Sequence, residues 1–164
     1  MASNDTLLIW SPLAAELAEN VYPRMDFRNA HPVVDFEDAQ DATITFHGVL
    51  PKSYSGNGVV VKIHWAATSA TTGNVRWVSN IERIGDQVLD IDTDSWGTSV
   101  YANDDCPGTC GYVKVSNRNH DEGAEMDNLV AGELFRLKVK RESGVSDTMI
   151  GDAELLMVEL REQA

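Results

Sequence analysis

Apolar and polar residues alternate along six separate stretches of the chain. In residues 59–65, valine, isoleucine and tryptophan occupy every second position, and Lys62 and His64 fall between them. A period of two predicts β-strands that have one buried face and one face toward solvent. The six stretches are residues 43–46, 59–65, 75–81, 112–116, 135–140 and 153–160.

The last of these stretches is apolar on both of its faces. Leu155 and Met157 would lie on one face, and Leu156, Val158 and Leu160 on the other. A strand without a polar face is either central in its sheet or covered on its outer side by a partner. The pattern predicts one of these two arrangements for the end of the chain.

Short glycine-containing segments separate the predicted strands. They lie at residues 55–58, 72–74, 85–86 and 143–144. Glycine and asparagine supply the positive φ angles that tight connections need. Many short strands joined by such turns, with little helical periodicity, indicate an all-β protein. We therefore expect an antiparallel β-sandwich of the jelly-roll type.

The first forty residues follow a different pattern. Leu7, Leu8, Ile9 and Trp10 form a short apolar run, and Ser11 followed by proline is typical of a helix start. Two further prolines then interrupt the segment. We predict an irregular N-terminal arm with a short helix over residues 1–40 and a β-sandwich domain over residues 41–164. The apolar run is a candidate interface, packing either on its own domain or on a neighbouring subunit.

The composition narrows the classes of partner. The 164 residues suit one domain, and the formal net charge is −13. Such an acidic chain is a poor candidate for nucleic-acid binding, which relies on basic residues to neutralise phosphates. No stretch approaches the ~20 apolar residues of a membrane helix. A secretory signal would require a basic residue near its start, and no Lys or Arg precedes Arg24. We expect neither a nucleic-acid nor a membrane partner.

Positive charge is concentrated in one predicted strand. Arg136, Lys138 and Lys140 alternate with apolar residues and should share a face. This face is a candidate interface for an acidic surface, including another copy of the chain. The alternative is a solvated strand whose long side chains cover the sheet.

Two cysteines, Cys106 and Cys110, are separated by three residues. This spacing is compatible with a small disulfide loop or with two thiols in a surface loop. A zinc site would need two more ligands, and only His120 and Asp121 lie near them in the sequence. We expect no metal and no cofactor.

No catalytic motif is recognisable. Asp90, Asp92 and Asp94 have the spacing of the first calcium ligands, but Ser95 and Tyr101 occupy the positions where such a loop has glycine and glutamate. A nucleophile elbow and a phosphate-binding loop are both missing from the sequence. We therefore expect that the protein is not an enzyme.

Several longer runs of the sequence resemble a family of small virion structural proteins of tailed bacteriophages and prophages. The resemblance covers residues 41–162 and implies a single β-sandwich without catalytic residues. The runs that carry it are LPKSY at residues 50–54, VKIHWAATSA at 61–70, TGNVRW at 72–77, FRLKVKR at 135–141 and SDTMIGDAEL at 146–155.

The resemblance implies two roles. The first is a capsid decoration (cement) protein, which is made in the bacterial cytoplasm, binds the major capsid protein on the virion exterior and associates as a homotrimer. The alternative is a tail or fibre module that recognises a glycan or protein on the host surface. The second role predicts exposed aromatic rings in loops, as for Trp96 and Tyr101. Trp10 and Trp96 lie outside the core-facing pattern, so we expect their rings to be exposed.

Overall fold

A computed structural model describes residues 4–164, in which eleven β-strands form two antiparallel sheets packed face to face. The predicted all-β sandwich is confirmed. The strands are β1 (Thr6–Trp10), β2 (Glu16–Leu17), β3 (Arg24–Arg28), β4 (His31–Phe36), β5 (Ala42–Val49), β6 (Val59–Ala67), β7 (Asn74–Arg83), β8 (Val100–Asp105), β9 (Lys114–His120), β10 (Leu134–Arg141) and β11 (Ala153–Glu162).

One sheet has five strands in the order β2-β5-β10-β7-β8. The other has six strands, in the order β3-β4-β11-β6-β9, with β1 also paired to β11. Strand β11 is hydrogen-bonded to β6 along one edge and to β4 and then β1 along the other. Of the two arrangements that the sequence left open for the last strand, the structure shows the central one.

The core lies between the inward faces of the two sheets. Trp65 of β6 and Trp77 of β7 meet there edge to face, with ring centroids 6.0 Å apart, and Phe36 packs on Trp77 in the same way. These rings come from strands in both sheets and are completely buried. Each such ring removes a large apolar area from water, which is the main force that holds the sheets together.

The N-terminal segment is not the irregular arm that the sequence predicted. Strands β1, β3 and β4 belong to the six-stranded sheet, and β2 extends the five-stranded sheet. The expected helix is a single 3₁₀ turn, Pro12–Ala14, because β2 begins only two residues later. The prediction failed because β1 and β4 pair with β11 and β2 pairs with β5, all far away in the chain, and β3 joins the sheet only through its hairpin with β4.

Two 3₁₀ turns, Pro12–Ala14 and Ala124–Met126, are the helical elements between residues 4 and 164. Neither they nor any other described segment forms a helix long and apolar enough to cross a membrane.

Candidate functional site

The outer face of the five-stranded sheet carries the basic residues singled out in the sequence. Along β10, Phe135, Leu137 and Val139 are buried in the core. The residues between them, Arg136, Lys138 and Lys140, are partly exposed. The prediction that these three side chains share one face is therefore confirmed.

The loop between β7 and β8 places Trp96 over this face. The backbone N–H of Ser95 donates to the buried carboxylate of Glu82 at 2.6 Å. The N–H of Gly97 donates to the carbonyl of Ile81 at 2.8 Å, and the Asn80 amide donates to the Gly97 carbonyl at 3.0 Å. The backbone is thus held on both sides of the indole, which limits the motion of the ring.

Gly97 is required at its position by close packing. A Cβ atom there would lie 2.8 Å from the carbonyl oxygen of Ala124 and 3.0 Å from that of Ile81. Both are backbone atoms, which cannot move aside as a flexible side chain would. A larger residue at this position would therefore displace the loop that carries Trp96.

The Trp96 ring is stacked on two cations. The Lys138 Nζ atom lies 4.1 Å and the Arg136 Cζ atom 4.7 Å from the ring centroid. The negative potential of an aromatic face attracts such cations. These contacts fix the tilt of the indole while leaving it partly exposed.

A second aromatic ring lies on the edge strand of the same sheet. Tyr101 of β8 is 56% exposed, and the Arg76 guanidinium lies 4.1 Å from its ring centroid. Tyr101 and Trp96 both line one depression of about 690 Å³. Exposed aromatic rings in loops were expected here; Tyr101 is exposed but lies on a strand, and Trp96 lies in a loop but is only partly exposed.

Two depressions lie on this outer face, and we call them together the outer cleft. The second has a volume of about 600 Å³ and is bordered by β2 and the residues after it. Thr43, Trp96 and Lys138 line both depressions. The first depression is also lined by Arg76, Val78, Asn80, Gly97, Ser99, Tyr101, Lys140 and Glu142, and the acidic residues that line the second are Glu16, Glu19, Asp41 and Asp94.

Most of the cations at the outer cleft are paired with carboxylates. Arg136 contacts Glu82 at 2.5 Å and Asp94 at 2.8 Å. The hydrogen bond from Arg136 is the main cause of a lowered pKa at Asp94. These internal pairs weaken the idea that the whole basic stripe is free to bind an acidic surface.

Lys140 is paired in the same way. Its ammonium lies 3.0 Å from Asp41 and 3.2 Å from Glu142, and Glu142 also contacts Arg76 at 2.6 Å. Burial lowers the pKa of Lys140, but the bonds to these two carboxylates outweigh burial and raise it overall. Its charge is therefore largely neutralised within the fold.

Lys138 differs from its two neighbours. Within residues 4–164 it forms no ion pair, and its ammonium contacts the Trp96 ring. Burial is the main cause of a lowered pKa at Lys138, only partly opposed by the more distant charge of Asp94. The centre of the outer cleft therefore holds a half-buried cation without a carboxylate partner.

The apolar candidate interface near the N-terminus is only partly exposed. Leu7 and Leu8 pack against the core, and Ile9 is 61% exposed. Trp10 is buried against Phe46, so the expectation that its ring is exposed was wrong. The cause is the pairing of β1 with β11, which turns this side chain inward.

Cys106 and Cys110 are free thiols in the structure, so the disulfide considered from their spacing is not formed. The Cys106 thiol points to the carbonyl of Ala70 at 3.3 Å, and burial raises its pKa. Cys110 is exposed. Among residues 4–164, no group of three or more His, Cys, Asp or Glu side chains is arranged to hold a metal ion.

Sequence reasoning overlooked several residues of the outer cleft. Arg76, Val78 and Asn80 face outward because Val75, Trp77 and Ile81 of the same strand face the core. The alternation in β7 contained this information. Nothing in the sequence indicated that the loop bearing Trp96 would fold over them.

Comparisons with known proteins establish the fold. No protein-family model and no curated protein matches the sequence. The chain is similar to the CBM22-1 xylan-binding domain from Paenibacillus barcinonensis, with a TM-score of 0.53, 12% identity and coverage of 100% of this chain and 99% of that one.

It is also similar to an exo-beta-1,3-galactanase from Phanerochaete chrysosporium, with a TM-score of 0.53 and 10% identity. This match covers 97% of the chain but only 29% of the galactanase. At such low identities, the two likenesses establish a shared β-sandwich fold.

Proposed function

We propose that this protein is a glycan-binding β-sandwich that holds a carbohydrate chain in the outer cleft without cleaving it. The observation that carries the proposal is the pair Trp96 and Tyr101, two partly exposed rings that line one polar depression. Sugar rings combine apolar C–H faces with hydroxyl edges. A cleft with aromatic platforms and convergent polar groups satisfies both.

The rigidity of the loop supports this proposal. Trp96 is held by backbone hydrogen bonds on both sides and by two cations against its ring. A ring that is already ordered loses little conformational entropy when a ligand stacks on it. The likeness to a xylan-binding domain is a further support, because it shows that this fold can serve as a carbohydrate-binding module.

The proposal is tested by screening the protein on an array of soluble oligosaccharides and measuring the best binder by calorimetry. Loss of a central aromatic residue typically costs ~2 kcal/mol or more, which corresponds to a roughly 30-fold loss of affinity. We expect this loss for Trp96→Ala and a smaller one for Tyr101→Ala. Tyr112→Ala is the control, because Tyr112 is also exposed but does not line the outer cleft. Unchanged binding by Trp96→Ala would contradict the proposal.

Binding without cleavage is a separate part of the proposal. The best-binding oligosaccharide is incubated with the protein and then separated by size. We expect the oligosaccharide to be recovered intact. Shorter fragments that disappear with a cleft variant would identify an enzyme instead.

A second candidate function is capsid decoration, and an apolar surface near the N-terminus favours it. Five large apolar side chains between residues 9 and 22 are exposed: Ile9, Leu13, Leu17, Val21 and Tyr22. Apolar residues clustered in one segment favour a contact with another protein. In this role the protein would bind the major capsid protein on the virion exterior as a homotrimer, after synthesis in the bacterial cytoplasm.

This second function is tested by purifying virions and measuring the copy number of the protein relative to the major capsid protein. Capsid decoration predicts a copy number comparable with that of the major capsid protein, and a tail or fibre module predicts far fewer copies. Leu13→Ser should weaken the association with the capsid. Val145→Ser is the control at an exposed valine outside this segment. If the protein is absent from virions, both the capsid and the tail or fibre roles are contradicted.

A further inference from the structure

We infer that the glycan bound in the outer cleft is acidic, and that Lys138 pairs with a carboxylate of one of its uronate residues. This inference rests on the proposed function. The starting observation is the unequal pairing of three cations that lie side by side on β10.

The cations on either side of Lys138 are already neutralised. Arg136 contacts two carboxylates, those of Glu82 and Asp94, and Lys140 contacts those of Asp41 and Glu142. Lys138 alone of the three has no ion pair within the described part of the chain. An anion that enters the outer cleft can therefore pair with Lys138 without displacing a protein carboxylate.

Lys138 is also placed where a bound sugar would lie. It lines both depressions, and its ammonium is 4.1 Å from the centroid of the Trp96 ring. A sugar next to that ring would bring its exocyclic carboxylate within reach of the ammonium. Trp96 would then contribute apolar contact and Lys138 a charge-assisted hydrogen bond to the same sugar unit.

The environment of Lys138 favours an anionic partner over a neutral one. The side chain is half-buried, and burial lowers its pKa, which means that the ammonium has lost part of its hydration. A carboxylate would compensate for that loss better than a hydroxyl group. A cation that is partly shielded from water also interacts more strongly with an anion than a fully solvated cation does.

The total charge limits the kind of acidic glycan. The chain carries a formal charge of −13, which repels polyanions at long range. One unpaired cation matches one carboxylate. We therefore expect a glycan in which single uronate residues are separated by neutral sugars, and not a densely sulfated or phosphorylated polymer.

The test compares oligosaccharides that bear a single uronate with the same molecules after reduction of the carboxyl group to a hydroxymethyl group. The probes are glucuronate-substituted xylo-oligosaccharides and the repeat units of uronate-containing bacterial polysaccharides. We expect the uronate form to bind about ten times more tightly, as for one charge-assisted hydrogen bond. The difference should shrink at high salt.

Lys138→Gln should remove this preference. We expect it to weaken binding of the uronate form about ten times more than binding of the reduced form, because a changed contact with Trp96 affects both forms and only the uronate form loses its partner cation. Lys62→Gln is the matched control, since Lys62 is a partly exposed lysine of β6 in the other sheet and also lacks an ion pair within residues 4–164. Circular dichroism and thermal melting establish that both variants are folded.

The outcomes separate the two proposals. Equal binding of uronate and reduced forms, with loss of both in Trp96→Ala, would overturn the acidic-glycan inference and leave the glycan-binding function standing. Uronate binding that survives Lys138→Gln would also overturn the inference. Tighter binding of sulfated than of uronate-bearing oligosaccharides would exclude the carboxylate as the recognised group. Failure of every glycan to bind would overturn both proposals.

Discussion

Arg141 shows how a single buried charge can organise a large part of this molecule. It is fully buried at the end of β10 and forms an ion pair with Asp147 at 2.8 Å. Its guanidinium also donates to the carbonyl groups of Phe36, Met149 and Gly151 at 2.7–2.9 Å. The side chain therefore ties the segment before β11 to strands of both sheets.

Replacing Arg141 should be severely destabilising. Arg141→Met would leave the Asp147 carboxylate and several carbonyl groups buried without their donor, at a cost of about 3–5 kcal/mol. Lys52→Met is the control, because Lys52 is exposed and forms no ion pair within residues 4–164. Urea denaturation measures both changes. A loss below about 1 kcal/mol for Arg141→Met would contradict this account.

Asp35 is a buried acid that the fold tolerates at a cost. It pairs in register with Glu154 of β11, which is another buried carboxylate. Burial raises the pKa of Asp35 to about 6, and the charges of Glu154, Asp26 and Asp152 add to that effect. The folded protein therefore retains this proton at pH values at which the unfolded chain has already lost it.

The sign of the pH dependence follows from that difference. Below about pH 4 both states bind the proton, and Asp35 has no effect on stability. Between about pH 4 and pH 6 only the unfolded chain releases the proton, so the free energy of unfolding falls by up to about 3 kcal/mol and stays lower above pH 6. Asp35→Asn should therefore stabilise the protein at pH 7.

The measurement is the free energy of unfolding of Asp35→Asn and of the unmodified protein across this pH range. The gain at pH 7 should be about 1–3 kcal/mol and should vanish in acid. The exposed variant Asp86→Asn serves as the control. A gain that is the same at every pH would show that ionisation of Asp35 is not its cause.

At the scale of elements, β1 is the strand whose role the sequence concealed. Trp10 is buried between Phe46 and Phe135 and donates from its indole N–H to the carbonyl of His47 at 3.0 Å. A Cβ atom on Gly48 would lie only 2.9 Å from the indole, so this glycine makes room for the ring. The strand is thus anchored to the core of both sheets.

Trp10→Ala should cost about 3 kcal/mol or more, because it removes a buried aromatic side chain and leaves a cavity. Ile9→Ala should change stability by less than about 0.5 kcal/mol, because Ile9 lies on the exposed side of the same strand. Thermal unfolding measures both. If both substitutions change the stability equally little, β1 is a loosely attached arm and this account is contradicted.

Other elements show why alternation was informative for some strands only. Strands β5, β6, β7, β10 and β11 place apolar residues inward and were all predicted. In β9 the inward residues are Ser116, Arg118 and His120. Each forms a hydrogen bond inside the core: Ser116 with the Trp65 indole, Arg118 with the Trp77 carbonyl and His120 with the Ser79 hydroxyl. A strand with polar residues on its buried side has no inward apolar period. The prediction for residues 112–116 was therefore partly wrong, because β9 begins at Lys114 and the apolar residues Val113 and Val115 are exposed.

At the scale of the whole molecule, the acidic surface is the dominant property. A formal charge of −13 destabilises the compact state by self-repulsion when little salt is present. Adding sodium chloride should therefore raise the melting temperature at pH 7, by about 2–4 °C for each kcal/mol of repulsion that is screened. Differential scanning calorimetry over a salt series measures this effect.

A variant with less negative charge is the control for the salt effect. Neutralising the exposed acids Asp86, Asp92 and Glu122 should raise the melting temperature in low salt and reduce its dependence on salt. A melting temperature that falls with added salt would mean that internal ion pairs, such as those at the outer cleft, outweigh the net repulsion.

The amino-acid sequence by itself determined which residues of β5, β6, β7 and β10 face the core, and therefore the all-β sandwich. In β11 a bulge after Leu155 brings Leu155, Val158 and Leu160 to the core together, although the alternation had placed Leu155 on the opposite face. The sequence also placed Arg136, Lys138 and Lys140 on one face. These properties depend on local periodicity, because the side-chain direction in a strand reverses at every residue. Tertiary structure alone decided that β1 pairs with β11, that Trp96 lies over the basic face and that Lys138 remains without a carboxylate. Those properties arise from contacts between residues far apart in the chain, and such contacts leave no periodic trace in the sequence.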